Sequence, residues 1–446
     1  MFHGKVRDKN DYALEDSHHT LNVAENSMRT DGGTERRAPR RRVDRRDVLK
    51  AAGVAGVAGL SGCLSNIGGG GGGTVTYGLL NPISGSYSSL GPFQRHGAEL
   101  AIQQLNESDD FEFEIEIARG DTETGASTAT QAASQLVEQS GADYIMGAIS
   151  SSVALALNSF ALENEVIYNP GAAAIPITGE SCNEYVFRAE TNTAQIAQGS
   201  AVWTLENLGS DVWFHIADYA YGQSVLREWR SRMEAADAEF NEVGVTRADL
   251  GAQNYESYIS QIADSDADVL VVGSTGGDFV RFAKQAESQG LKDQLPIITT
   301  TASFQSLRAG LGTTAYGIYS GVRYNAKVDA GWNTQFVDAY TSEYPDDGAP
   351  GNFARVGYDS VRMTALGMQE AGSTDPAEVK DALAGLETNS VLGTNMFREC
   401  DQQAMNPVWV GQNVEPDEGE IADVELIEKV SGADAIPSCS STNCSL

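Results

Sequence analysis

Three consecutive serines, Ser150, Ser151 and Ser152, stand where an apolar stretch gives way to residues at helical spacing. Residues 144–149 are short and uninterruptedly apolar, which reads as a buried parallel strand. The serines then open a helix whose first N–H groups have no partner within it. A carboxylate or carbonyl oxygen of a ligand can accept from those donors at the positive end of the helix dipole. A second apolar run, 166–168, ends in Asn169, Pro170, Gly171, Ala172, Ala173 and Ala174, small residues that let a ligand reach backbone. Two adjacent strand ends then open on one crevice, where open α/β sheets bind ligands. The serines serve equally well as plain helix caps, and both readings stand at this point.

Other chemistry is thinly represented. Beyond residue 62 only His96 and His215 remain, leaving no His-rich metal cluster and little for a Ser-His-Asp catalyst. The body has no Gly-x-Ser-x-Gly elbow, no phosphate loop ending in Gly-Lys-Ser/Thr and no His-Glu-x-x-His. An exported hydrolase using Ser151 as nucleophile would lack a visible base. The glycine-rich run 273–277 lacks the lysine and the spacing of a nucleotide site. No enzyme activity, cofactor or metal is therefore expected.

The formal charge is −32. The first 62 residues hold 12 of the basic and 9 of the acidic side chains, leaving 18 against 53 and a body at −35. Such a balance excludes nucleic acid and an anionic membrane surface as partners. Few lysines and many carboxylates, spread along a globular chain, point to a protein kept soluble in concentrated salt. A halophilic archaeon is the expected source.

Residues 1–43 are polar and lack apolar periodicity, so a disordered extension is expected there. In 44–62, Arg45 and Arg46 precede a short Ala/Gly/Val run that is too short for a membrane span. The paired arginines resemble a twin-arginine export signal. Leu60, Ser61, Gly62 and Cys63 resemble a lipoprotein box, in which Cys63 becomes the lipid-bearing N-terminus. Residues 63–73 continue as a tether with six glycines.

From Thr74 strand and helix patterns alternate, as in a parallel sheet with helices on both faces. Strands are expected at 74–80, 111–118, 144–149, 166–168 and 186–190, with helices between. The rhythm then restarts, with helices at 193–208, 222–236, 255–264 and 277–289 alternating with further strands. Beyond Tyr319 the pattern mixes strands with helices at 332–343, 352–371 and 376–384, too little for a third lobe.

The two lobes on an exported anchor resemble the type I periplasmic binding proteins of ABC importers, in the branched-chain amino acid, amide and urea receptor group. The resemblance rests on NPISGSYSSLGPFQRHGAELA, GAISSSVALAL, YNPGAAAIPIT, VFRAETNT, ADYAYGQS, VLVVGSTGGDFVRFAKQAESQG, NFARVGYDSVRMTALGMQEAG and MFRECDQQAMNPVWVG, in order and spacing. In the last, Gln402 stands where the family pattern has histidine. The fold so implied is α/β, with two Rossmann-like lobes of parallel sheet joined by a three-crossover hinge. Lobe 1 would comprise 74–187 plus 321–392, lobe 2 would comprise 188–320 plus 393–430, and 431–446 would be a C-terminal tail. The lobes would close on a small molecule, and an ABC permease with its ATPase would receive it at the outer face of the cytoplasmic membrane.

By the same resemblance Ser151, Ser152, Gly171, Ala172 and Ala173 would hold the oxygen end of a ligand. Asp218, Tyr221, Thr275 and Thr300 would close from the other lobe. Cys182 and Cys400 fall near the hinge, where they can bond to one another or stay free. A branched-chain amino acid is the expected ligand, yet Ala173 and Thr300 offer an ammonium no charge. Asp218 must then serve it, or the ligand is an amide, urea or a small carboxylate. A lipid-anchored sensor without transport would have the same fold.

Overall fold

A computed structural model describes residues 73–236 and 239–446. Arg45, Arg46, Cys63 and the extension before them lie outside the described residues.

The first lobe is built on β1 (Thr74–Asn81), β2 (Glu114–Asp121), β3 (Ala142–Gly147) and β4 (Ile167–Pro170). These run parallel in the order β2-β1-β3-β4. Most of β1 is buried on both faces, because helices cover the sheet on each side. Two of those helices, Gly91–Asn106 and Asn352–Ala371, press backbone against backbone. A Cβ at Gly97 would lie 1.9 Å from the Ala354 carbonyl oxygen, and one at Gly357 would lie 2.1 Å from that of Gln94. Only glycine permits that approach.

The second lobe holds β5 (Asp211–Ala217), β6 (Asn241–Ala248), β7 (Val269–Gly273), β8 (Ile297–Thr299) and β9 (Tyr319–Val322). A hairpin of β10 (Glu387–Ser390) and β11 (Gly393–Met396) precedes β12 (Val408–Val414) and β13 (Asp423–Val430). The second sheet runs β13-β12-β9-β8-β7-β5-β6, parallel through β9, with β12 antiparallel to both its neighbours. Every residue of β7 is buried, as its unbroken apolar run requires.

Several details differ from expectation. The strand expected at 111–118 begins at Glu114, because Phe111 turns into the core and meets Phe113 edge-on at 5.7 Å. The stretch 186–190 is a connection rather than a strand. Phe187 N–H donates to Tyr168 in the first lobe, while Arg188 exchanges backbone bonds with Gln402 and Ala404. The boundary expected at 320/321 cuts β9, which stays in the second sheet through Val322 by pairing with Trp409. The boundary at 392/393 cuts the β10–β11 hairpin, whose short β-turn and Asn- and Thr-rich strands carry little apolar pattern.

The pairing of Cys182 with Cys400 is also corrected. Cys182 bonds Cys444 and Cys400 bonds Cys439. The 431–446 segment is no loose tail. Ser431 caps a turn of helix by accepting from Asp434 N–H, and Arg398 Nη1 donates to the Pro437 carbonyl at 2.6 Å. The chain is thereby led back until both cysteine pairs come within bonding reach, with Cα separations of 5.6 and 6.0 Å.

His215, on β5, is a core residue. It stacks on Phe282 at 4.3 Å, and its Nδ1 shares a 2.9 Å hydrogen bond with Thr246 Oγ1. Burial lowers its pKa to about 3. A depressed base binds fewer protons folded than unfolded, so its contribution is present above about pH 6.5 and is lost as pH falls toward 3. The His215→Gln variant should therefore lose less stability than the parent between pH 6.5 and 4 in urea titrations. Parallel pH profiles would show that the ring is not held neutral.

Candidate functional site

Strand β3 ends in a backbone that turns sharply. Gly147 and Ala148 take φ of 144° and 58°, and a Cβ at Gly147 would lie 2.0 Å from the Leu80 carbonyl oxygen. The left-handed Ala148 costs on the order of 1 kcal/mol, a strain that recurs at ligand clamps. The turn sets Ile149 on the wall of a crevice between the lobes and starts the helix Ser151–Asn164 beside it. No side chain caps that helix at Ser150. Ser151 is buried and its Oγ accepts from Ala174 N–H at 3.3 Å, tying the serine loop to the small-residue loop. Ser152 is exposed, roughly 100° round the helix, and is corrected out of the site.

Gly171, Ala172 and Ala173 line the crevice. Behind Gly171 sits Gln94, which is buried and accepts from Asn81 Nδ2 at 2.9 Å. A Cβ at Gly171 would lie 1.7 Å from Gln94 Nε2, so a larger residue there must displace the Gln94 amide.

Side chains come from the second lobe. Tyr219, Tyr221, Thr275, Thr301 and Phe304 line the opposite wall, Phe353 and Arg323 also border the space, and the lobes leave it narrow. Tyr221 is buried and its hydroxyl shares a hydrogen bond with Thr300 and accepts from Arg323 Nη2 at 2.9 Å. Burial raises the Tyr221 pKa, opposed by the Arg323 charge, so the phenol stays protonated. Thr300 is thus behind Tyr221 rather than on the wall, and Thr301 takes the place expected of it. Thr275 lines the crevice with its Oγ1 buried and unpartnered. Asp218 is corrected out: it is exposed, does not line the crevice, and accepts from Gln223 in the helix that follows it.

The lobes touch around this space. Tyr87, from the loop after β1, bonds Tyr219 through the two hydroxyls and packs on Gly276, where a Cβ would lie 2.9 Å from its ring. Phe353 meets Phe304 edge-on at 5.1 Å, and Ile175 N–H donates to Ser224 Oγ at 2.9 Å.

Arg323 is the residue that sequence reasoning missed. It is 2 % exposed, leaves Nε without a partner, and lies over the rings of Phe304 and Tyr221 at 5.2 and 5.9 Å. Behind it is a buried ionic group. Glu190 Oε1 lies 3.6 Å from Arg323 Nη1 and 3.8 Å from Arg355 Nη2, and Arg355 Nη1 lies 3.8 Å from Asp359. Burial raises the Asp359 pKa to about 6, against the pull of Arg355, and lowers that of Arg188 to about 9. Arg398 pairs with Asp401, and the charges of Asp401 and Glu190 also act on Arg188. The signal in the sequence was an arginine within YSGVRY, at the end of an otherwise apolar strand.

Comparison with known proteins gives concordant results. A family model described as periplasmic binding protein matches residues 74–419. The Leu/Ile/Val-binding protein homolog 8 of Brucella abortus is 25 % identical over 334 residues, covering 70 % of this chain and 80 % of the relative. Among solved structures, a periplasmic binding protein from Burkholderia mallei superposes with a TM-score of 0.76 at 22 % identity, over 84 % of this chain and 99 % of that one. An ABC transporter solute-binding protein from R. palustris, in complex with benzoate, gives 0.72 at 21 % identity over 80 % and 98 %.

Proposed function

The chain belongs to the periplasmic binding proteins, and from that premise we propose that it captures a small solute bearing a carboxylate by closure of its two lobes and hands it to an ABC permease. The observation that carries the carboxylate is Arg323, a buried guanidinium on the crevice wall with Nε unpartnered. A guanidinium offers planar paired donors matched to a carboxylate. The N–H groups at the start of the Ser151–Asn164 helix are a second source of donors at the same crevice. Export by the Arg45–Arg46 signal and anchoring through lipid on Cys63 complete the reading. The names of its relatives, Leu/Ile/Val-binding, support a solute of amino acid size, and the benzoate complex supports an organic acid. Both carry the carboxylate.

A thermal-shift panel in molar salt tests this. A ligand at 100 times its dissociation constant stabilises by about 2.7 kcal/mol. Small carboxylates, amino acids among them, should raise the melting temperature, whereas acetamide and urea should not. Arg323→Gln should abolish the shift. A response to amides or urea alone would overturn the carboxylate and leave the receptor standing.

A further inference from the structure

Resting on that reading, we infer that the solute is an aromatic monocarboxylate without an α-ammonium group. An α-amino acid brings a positive charge two bonds from its carboxylate, and burying it needs an acidic or several carbonyl partners. Among the described residues, no carboxylate side chain lines this crevice. Glu190 is spent: Oε1 accepts from Thr191 N–H at 2.7 Å beside two guanidiniums, and Oε2 accepts from Asn352 Nδ2 at 2.8 Å. Asp278 is spent as well, accepting from Gly251 N–H at 2.8 Å and paired with Arg281. Asp218 is outside. The fixed charge beside the crevice is instead Arg323, which repels an ammonium and attracts an anion.

The rest of the wall selects the body of the molecule. Tyr219, Tyr221, Phe304 and Phe353 present rings, and Ile149 presents an aliphatic surface. Rings pack on rings in offset or edge-to-face geometry, a gain beyond the area they bury. The guanidinium already lies over two of these rings, so a flat acid can meet its head group and its walls together. The unpartnered Thr275 hydroxyl gives such a ring one polar neighbour.

Matched pairs test the assignment by calorimetry on the folded, disulfide-bonded protein in molar salt. Benzoate against benzamide isolates the charge, and 3-phenylpropanoate against L-phenylalanine isolates the ammonium. Leucine against 4-methylpentanoate asks the same without a ring. The acids should bind, and each amino acid should bind at least a hundredfold more weakly than its des-amino partner. Phe304→Leu should weaken benzoate about tenfold while sparing 4-methylpentanoate, and Arg323→Lys should weaken both while preserving the melting temperature of the empty protein. Equal or tighter binding of leucine or phenylalanine would overturn this inference and leave the carboxylate receptor intact. Preference for 4-methylpentanoate over benzoate would overturn its aromatic part. Failure of every carboxylate would remove the carboxylate reading on which this inference rests.

Discussion

Glu190→Ala should cost about 3–5 kcal/mol of stability, the loss that follows when one partner of a buried ion pair is removed. Glu190 is fully buried and is the anion shared by Arg323 and Arg355. Its removal strands two guanidiniums away from water and frees the Asn352 amide that Oε2 had accepted from. Glu190→Gln keeps part of the hydrogen bonding and should fall between parent and alanine variant. Urea unfolding in molar salt reads the effect. A loss under about 1 kcal/mol for the alanine variant would mean that water reaches the group and that its charges are not held apart from solvent. The position also joins mechanics to recognition, since it lies on the segment between β4 and β5 that links the lobes.

The second large effect belongs to the disulfides. Cys182–Cys444 closes a separation of 262 residues and Cys400–Cys439 one of 39. Loop-closure entropy alone assigns such bridges roughly 5–6 and 4 kcal/mol, values that measured cases seldom reach in full. Reduction should lower the urea midpoint by the equivalent of about 3–5 kcal/mol. The double variant Cys182→Ser with Cys444→Ser should account for more of it than Cys400→Ser with Cys439→Ser. A midpoint indifferent to reductant would show that the thiols are unpaired in solution.

The fold was open to reading because its elements carry strong local patterns. Unbroken short apolar runs such as 269–273, bounded by turn residues, read as buried strands, and the helices between them have one apolar face. The serine loop and the small-residue loop were visible for the same reason, as polar and small residues abutting apolar runs. What the sequence hides is anything decided by the approach of distant segments. Asp218 and Tyr221 sit three residues apart at the start of one helix, yet one faces solvent and the other the crevice. Arg323 gains meaning only beside Glu190 and Phe304, and Cys400 finds its partner only because the last strand leads the chain back. The hairpin 387–396 went unseen because its polar strands take their order from each other rather than from a core.

The crevice is asymmetric in what it is made of, and that bears on how such a receptor changes its taste. One wall is peptide backbone at Gly171, backed by the Gln94 amide, so a side chain added there must first displace Gln94. The other wall is side chain: Tyr219, Tyr221, Thr275 and Phe304 can each be exchanged without disturbing a close approach of backbone. Selection for a new solute therefore has its raw material almost entirely in the second lobe. Descendants of this protein that bind different molecules should share the glycine-alanine loop and diverge opposite it, and a library aimed at new specificity should leave residues 171–173 alone.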